Sequence, residues 1–290
     1  MRKHIDSAYK ILSKVYQDGT YSNMAFLGER VSDMSTRLVY GTLVSFANQK
    51  GGVGKTTSCV NLACSIASLG YKTLLVDFDP QANATSAMGV FDKNIENSIY
   101  DAMSKRNAKG CIRKGKYADF IPSSRNLAGA ELELSNENER EIVLKSTLNS
   151  VKDDYDFVFI DCAPSINLML INALCASGEV MVPVQCEYFA LEGLNQLLNT
   201  VRLVKTHLND NLRLGGILLT MCKRTKLARD VENTLRQTFR GNVFETSIPC
   251  NVRLAEAPGY GVPIIEYDKN CPGAIAYKKL AKEYISKFKE

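Results

Sequence analysis

What the sequence lacks bounds it first. Among its 290 residues are nine Cys but no C-x-x-C pair, so neither a zinc site nor a disulfide framework is indicated. The odd number of cysteines lies mostly inside apolar stretches, as at Cys59, Cys162, Cys186 and Cys222. There a thiol packs as a small hydrophobe, and a reducing, cytoplasmic setting is the expectation. No apolar run reaches the ~20 residues that cross a bilayer. The basic start is not followed by the apolar core of a secretion signal. A soluble chain with no membrane segment is therefore expected. The two histidines, His4 and His207, have no partner motif around them. An excess of one charge is also missing: 36 Lys and Arg against 31 Asp and Glu leave +5, which permits a polyanionic partner without requiring one. No internal repeat or low-complexity tract is visible.

What is present is a steady alternation. The segments 43–48, 73–79, 156–164, 179–185, 214–221 and 242–249 are short, apolar and rich in Val, Ile and Phe, as strands buried on both faces are. Between them run stretches that predict helices over 55–69, 126–150 with a break, 166–177, 189–206, 226–240 and 273–288. Strand and helix in alternation imply βαβ units and a mostly parallel sheet with helices on both faces. An α/β fold in one domain is thus expected over 43–290, of the P-loop kind given the glycine loop at 49–57. Ligands of such sheets sit at the carboxyl ends of the strands. Residues 1–42 fall outside this rhythm and read as a short helical extension.

The strongest local signal is Gln49–Thr57, QKGGVGKTT, which follows an apolar strand and opens a helix. A triphosphate is held by backbone N–H groups at a helix N-terminus. Gly51, Gly52 and Gly54, with Val53 between them, let the loop come close to phosphate oxygens. Lys55 is placed to reach the β- and γ-phosphates and Thr56 to ligate Mg²⁺, and Val53 and Thr57 are expected to join the glycines in binding the nucleotide. The ordinary G-x-x-x-x-G-K-S/T pattern is not met, because Gln49 stands at its first glycine and Lys50 precedes the paired glycines. Two acidic strand ends complete the set. Asp79 closes TLLVDFD and suits water orientation and the Mg²⁺ shell, and Asp161 closes DFVFID and suits Mg²⁺ held through water. Asp77 is open to two readings, a member of the site or a brace for the loop.

K-G-G-x-G-K-T-T is the deviant Walker A motif of the ParA/MinD ATPases, and the chain resembles that family's ParA/Soj branch over roughly 43–288. TLLVDFDPQANAT, ILLTM, SIPCNVRLAEAPGYGVPIIEYD and GAIAYKKLAKEYI carry the likeness, with Ala163 standing where family members often have Pro. The resemblance implies ATP and Mg²⁺ as cofactors, and a homodimer formed on ATP with Lys50 acting across the interface. It further implies hydrolysis using Lys55 and Asp79, with Met221, Pro249 and Val252 flanking the adenine. Non-specific binding of double-stranded DNA through Arg224, Lys226 and Arg253, in the nucleoid, and a ParB-like centromere-binding partner follow from the same likeness. Lys223 remains an alternative counterpart to Arg224, since the match there needs a one-residue gap. AYKIL, GTYSNMAF and RLVYGTL in residues 1–42 resemble the start of the NusB-like domain of ribosomal-RNA cytosine methyltransferases, read here as a fusion remnant or appended helices.

Related members of the superfamily do other work on one fold. A MinD-like ATPase that positions the division site on a membrane is one alternative, because the C-terminal helix is basic and amphipathic. A Soj-like regulator of replication initiation is another. The stripe Ala274, Tyr277, Leu280, Ala281, Tyr284, Ile285 and Phe288 is instead expected to pack on the core. No cysteine pattern like that of the nitrogenase iron protein and no tyrosine cluster like that of capsule kinases is present.

Overall fold

A computed structural model describes residues 41–92, 95–187 and 189–288. The reading of 1–42 as an extension therefore lies, but for its last two residues, outside the described residues. In chain order the described elements are β1 (Thr42–Phe46), α1 (Lys55–Ala67), β2 (Thr73–Phe78), α2 (Asn83–Ala87), α3 (Ile99–Ser104), β3 (Asp119–Ile121), α4 (Ala130–Leu134) and α5 (Val143–Leu148). They continue with β4 (Phe157–Cys162), α6 (Leu168–Ala176), β5 (Glu179–Gln185), α7 (Ala190–His207), β6 (Arg213–Thr220), α8 (Lys226–Thr238), α9 (Val252–Glu256), α10 (Ile264–Tyr267) and α11 (Pro272–Ser286).

The strands form one six-stranded sheet in the order β3-β2-β4-β1-β5-β6, and every neighbouring pair is parallel. The expected α/β class is met. Every residue of β2 and β4 is buried, as a sheet covered on both faces requires. The register sets Asp77 of β2 directly beside Asp161 of β4. Residues in register on neighbouring parallel strands point to the same face, so two carboxylates meet at the carboxyl edge.

Two elements differ from expectation. Residues 242–249 do not form a strand: they touch β6 and its exit through two isolated bridges, Ile217 with Val243 and Cys222 with Pro249. Phe244 lies over Gly216, where any side chain would collide with its ring, so this segment serves as core filling. The sixth strand is β3, three residues long, at the opposite edge. The break expected within 126–150 falls at SNENERE, which has no apolar face, but the helix on either side is shorter than expected, only α4 and α5 with 3-10 turns around them.

The C-terminal helix α11 packs beside α1. All seven residues of its predicted stripe are buried, Tyr284 and Leu280 completely. Tyr277 shares a 3.0 Å hydroxyl contact with Ser58 of α1, and Tyr284 sits among the rings of Phe157, Phe159, Phe244 and Phe288. The stripe is used up in the core. Among the described residues no helix is long and apolar enough to cross a membrane. Seven of the nine cysteines are buried and all are free thiols.

Candidate functional site

The segment 48–55 is tied to two further strands. Asn48 donates from Nδ2 to the Pro183 carbonyl of β5 at 2.7 Å and accepts the Lys50 N–H at 3.0 Å. Gln185 at the end of β5 donates to the Gly52 carbonyl at 3.2 Å, and Thr220 at the end of β6 donates to the Val53 carbonyl at 2.7 Å. Gly52 and Gly54 adopt φ of 72° and 83°, which side-chain-bearing residues rarely take. Gly51 does not, but a Cβ placed on it or on Gly52 meets no atom within 4 Å. The loop mouth is open, and the N-terminus of α1 has no side-chain cap. Its free N–H groups and dipole suit an anion.

Lys55 is buried, and its ammonium donates to the Lys50 carbonyl at 3.1 Å. Burial lowers its pKa, opposed by the negative charges of Asp161 and Asp79. Thr56 and Thr57 follow, half-buried, in the first turn. Asp161 is 0% exposed, and neither carboxylate oxygen has a hydrogen-bond partner. Burial raises its pKa well above the ordinary carboxylate value, the Asp77 charge adds to this, and Thr56 and Lys55 act against it. An unpartnered buried carboxylate is costly. A hard cation with oxygen ligands removes that cost, so the residues present fit Mg²⁺. Among the described residues no group of three His, Cys, Asp or Glu side chains is placed to hold a metal alone. The remaining ligands are left to phosphate and water.

Asp79 is nearly buried and accepts the Gln81 N–H at 2.9 Å. For Asp77 the structure corrects one of the two readings, since its carboxylate does not brace the loop 49–57. It accepts the Asp79 N–H at 3.2 Å, the Thr85 N–H at 2.7 Å and the Thr85 hydroxyl at 2.6 Å. Thr85 in turn accepts the Ser123 N–H at 2.9 Å. Asp77 thus fixes the segment that carries Asp79. Burial raises its pKa to about 6, with the two Thr85 hydrogen bonds opposing.

Around this centre the other predicted residues fall unevenly. Lys50 stands at the rim with its side chain 43% exposed and is paired to Glu187 at 2.5 Å. That hydrogen bond holds the Glu187 carboxyl below its usual pKa. Met221, at a left-handed φ of 48°, is brought to the loop: Gln185 Nε2 lies 2.6 Å from its sulfur. Pro249 is bridged to Cys222, next along from Met221, while Val252 is 71% exposed at the start of α9. Arg224 and Lys226 are exposed and have no ion pair among the described residues. Arg253 is engaged by Glu256 at 3.0 Å and Asp268 at 3.8 Å, and the Glu256 contact raises its pKa.

Gln185, Glu187 and Thr220 lie at the site and escape a motif reading, and Thr85, though it ends the segment 73–85, carries no motif role there. Their common signal is position: each lies at or beyond the carboxyl end of a strand, the end where the glycine loop sits.

A parallel sheet with a glycine loop between β1 and α1 and an acidic residue ending the neighbouring strand defines a P-loop nucleotide-binding protein. Residues 41–214 match the family described as AAA domain. The chain is 50% identical over 247 residues to the sporulation initiation inhibitor protein Soj of Bacillus subtilis (strain 168), covering 84% of this chain and 98% of that protein. It is 47% identical over 251 residues to the chromosome-partitioning ATPase Soj of Treponema pallidum (strain Nichols), covering 85% and 98%. Cobyrinic acid a,c-diamide synthase from Mycobacterium smegmatis, solved with a bound ATP analogue and magnesium, is similar at a TM-score of 0.75 and 30% identity, covering 86% of this chain and 96% of that one. The chain belongs to the ParA/Soj family of partitioning ATPases.

Proposed function

We propose that this chain is an ATP-driven partition switch that dimerises on ATP, holds double-stranded DNA without sequence preference and releases it after hydrolysis with a ParB-like partner. The observation that carries the reading is the Asp161 carboxylate, buried and unpartnered beside Thr56 and Lys55 at the mouth of the glycine loop. Burial opposes the charged form of this carboxylate, and a bound cation would offset that cost.

Thr56 and Asp161, with Asp79, would hold Mg²⁺, and the ion supplies positive charge against the phosphate oxygens. Lys55 leaves the Lys50 carbonyl for the phosphates. The N–H groups of Gly51–Thr57 cradle them, and Asp79 orients the attacking water from a segment that Asp77 and Thr85 keep rigid. Rate enhancement here is positioning and charge stabilisation. Met221 and the Pro249–Val252 turn flank the adenine. Lys50 exchanges Glu187 for the nucleotide of a second subunit, so its work begins only when two subunits meet. Arg224 and Lys226 offer unpaired charge to DNA, and Arg253 joins them by leaving Glu256. Burial of the apolar stripe of α11 favours this reading over a MinD-like membrane helix.

Sedimentation and phosphate release with ATP and Mg²⁺ test it. Lys50→Ala is expected to bind ATP normally and stay monomeric. Asp79→Ala is expected to form the dimer and keep it, with turnover lost. A normal dimer and normal turnover in Lys50→Ala, or unchanged turnover in Asp79→Ala, defeats the assignment.

A further inference from the structure

The run from Lys105 to Lys116 contains six basic residues and no acidic one. It carries +6, against +5 for the whole chain, which leaves −1 for the other 278 residues. The protein's entire positive excess is therefore concentrated in twelve residues, and Arg224, Lys226 and Arg253 are not among them.

The structure gives the run a defined place. Arg113 and Phe120 exchange both backbone hydrogen bonds, at 2.8 and 2.9 Å, and close an antiparallel hairpin on the edge strand β3. Gly115 is required in its turn, because a Cβ there would collide with the Ala118 carbonyl. The hairpin borders a groove of about 690 Å³ lined by Lys72, Lys109, Lys114, Tyr71, Tyr117 and Tyr155, among others. Lys72 immediately precedes β2, Tyr155 lies two residues before β4, and Asp119 of β3 pairs with Leu74 near the start of β2. The groove thus lies at the amino ends of the strands, and the glycine loop lies at the carboxyl ends.

Lys72, Lys105, Lys109 and Arg113 have no acidic ion-pair partner among the described residues. Lys114 is paired to Asp119, Lys116 to Glu266 and Arg106 to Glu137. Asp119 and Asp154 are the acidic groups lining the groove, and Asp119 is already held by Lys114 at 2.6 Å and the Tyr155 hydroxyl at 2.7 Å. Lys72 and Lys109 line the groove, Lys105 and Arg113 lie outside it, and Lys72, Lys105 and Lys109 are exposed. That spread does not converge on a discrete small ligand. It suits a ligand whose charges are themselves spread, as duplex phosphates are, about 3.4 Å apart along each strand.

We propose that the basic segment 105–116, which runs into the hairpin closed by Arg113 and Phe120, and the groove beside it form a second contact for the phosphate backbone of duplex DNA, at the end of the sheet opposite the nucleotide site. The inference deepens the DNA-binding part of the proposed function and rests on it. One subunit carries this surface whole, so it supplies weak, salt-sensitive DNA affinity before ATP binds. With Arg224 and Lys226 beyond the carboxyl end of β6, it allows one molecule to touch two DNA segments.

Anisotropy of a labelled duplex, titrated over several salt concentrations with and without ATP and Mg²⁺, tests it. The charge reversal K105E/K109E/R113E is expected to lower nucleotide-free affinity at least tenfold and flatten the salt slope by about 0.9 for each phosphate no longer neutralised. ATP turnover without DNA stays unchanged. The neutral set K105Q/K109Q/R113Q, which guards against misfolding by reversed charge, is expected to fall between. R224A/K226A should lower only the ATP-dependent binding. Unmodified affinity in both triple variants overturns this second DNA surface while leaving the partition reading intact, as does weakened binding in R224A/K226A alone. A polyglutamate peptide that binds the groove when duplex DNA does not overturns it in favour of an acidic polypeptide. No DNA binding by the unmodified protein in either nucleotide state overturns the DNA reading and this surface together.

Discussion

Glu179 and Asp161 are both buried carboxylates of the same sheet, at opposite ends of it. Glu179 opens β5 at the amino end and accepts from Arg213 Nε at 3.1 Å and from the Tyr284 hydroxyl at 2.7 Å. Asp161 lies near the carboxyl end of β4 and has no hydrogen-bond donor on either oxygen. Asp77 lies beside it in register, and Asp79 is two positions further along the chain. The buried cation facing them, Lys55, bonds to a backbone carbonyl. The buried Glu179 cluster at the amino end is satisfied by its own neighbours, whereas the buried carboxylates at the carboxyl end leave a need for positive charge that a ligand can fill. Glu179 therefore reads as a structural charge, and Asp161 is the one the proposed function assigns to a bound cation.

Lys55→Ala breaks this contrast most severely. It removes the ammonium facing the buried carboxylates and, on the proposed function, the group that reaches the phosphates, so ATP turnover is expected to fall about 10²- to 10³-fold, as when one preorganised donor is removed. Phosphate release measures it, and turnover within about threefold of the unmodified protein would mean that this need for positive charge is unrelated to nucleotide.

The next effect is on pH dependence. Asp77 has its pKa raised from 3.8 to about 6 by burial, so the stability linked to its protonation is fully present below about pH 4. It is lost as pH rises through about 6. In metal- and nucleotide-free protein, the stability difference between the unmodified chain and Asp77→Asn should shift by about 3 kcal/mol between about pH 4 and 7, the unmodified chain doing relatively better in acid. Urea unfolding at a series of pH values reads it. A flat difference would place the titration elsewhere.

The smallest effects should have opposite signs. Glu179→Gln weakens a satisfied cluster and is expected to cost about 1–3 kcal/mol. Asp161→Asn removes an unpartnered buried charge and is expected to stabilise the ligand-free protein by about 1–2 kcal/mol. Adding ATP and Mg²⁺ should reverse the second, since only the carboxylate profits from the ion. Destabilisation of both variants in ligand-free protein would show that Asp161 is already satisfied.

Much of the fold and of the candidate site is legible from residues alone, because the signals are local. The buried strands announce themselves as apolar runs, and K-G-G-V-G-K-T-T fixes its own strand–loop–helix context. Five of the six expected strands are in the sheet. The failures are non-local. DFI of β3 is too short to show a period, and its strand character comes from pairing with β2. NVFETSIP reads as a strand but instead uses Phe244 to fill the space over Gly216. The partner of Asp77 is Thr85, eight residues on, and no spacing rule joins them. The Lys50–Glu187 pair spans 137 residues, so it exists only once β1 and β5 are neighbours.

The bond from the Lys55 ammonium to the Lys50 carbonyl has a kinetic meaning as well. With that bond in place the loop props itself open on its own backbone, with its cation inside. Nucleotide entry is then an exchange of one acceptor for another, and the chain need not be organised from a collapsed loop. The barrier to charging the switch should accordingly be small and set by diffusion. If Lys50 acts across a dimer as proposed, the slow step of the cycle should lie later, when its pair with Glu187 is broken and a second subunit is found.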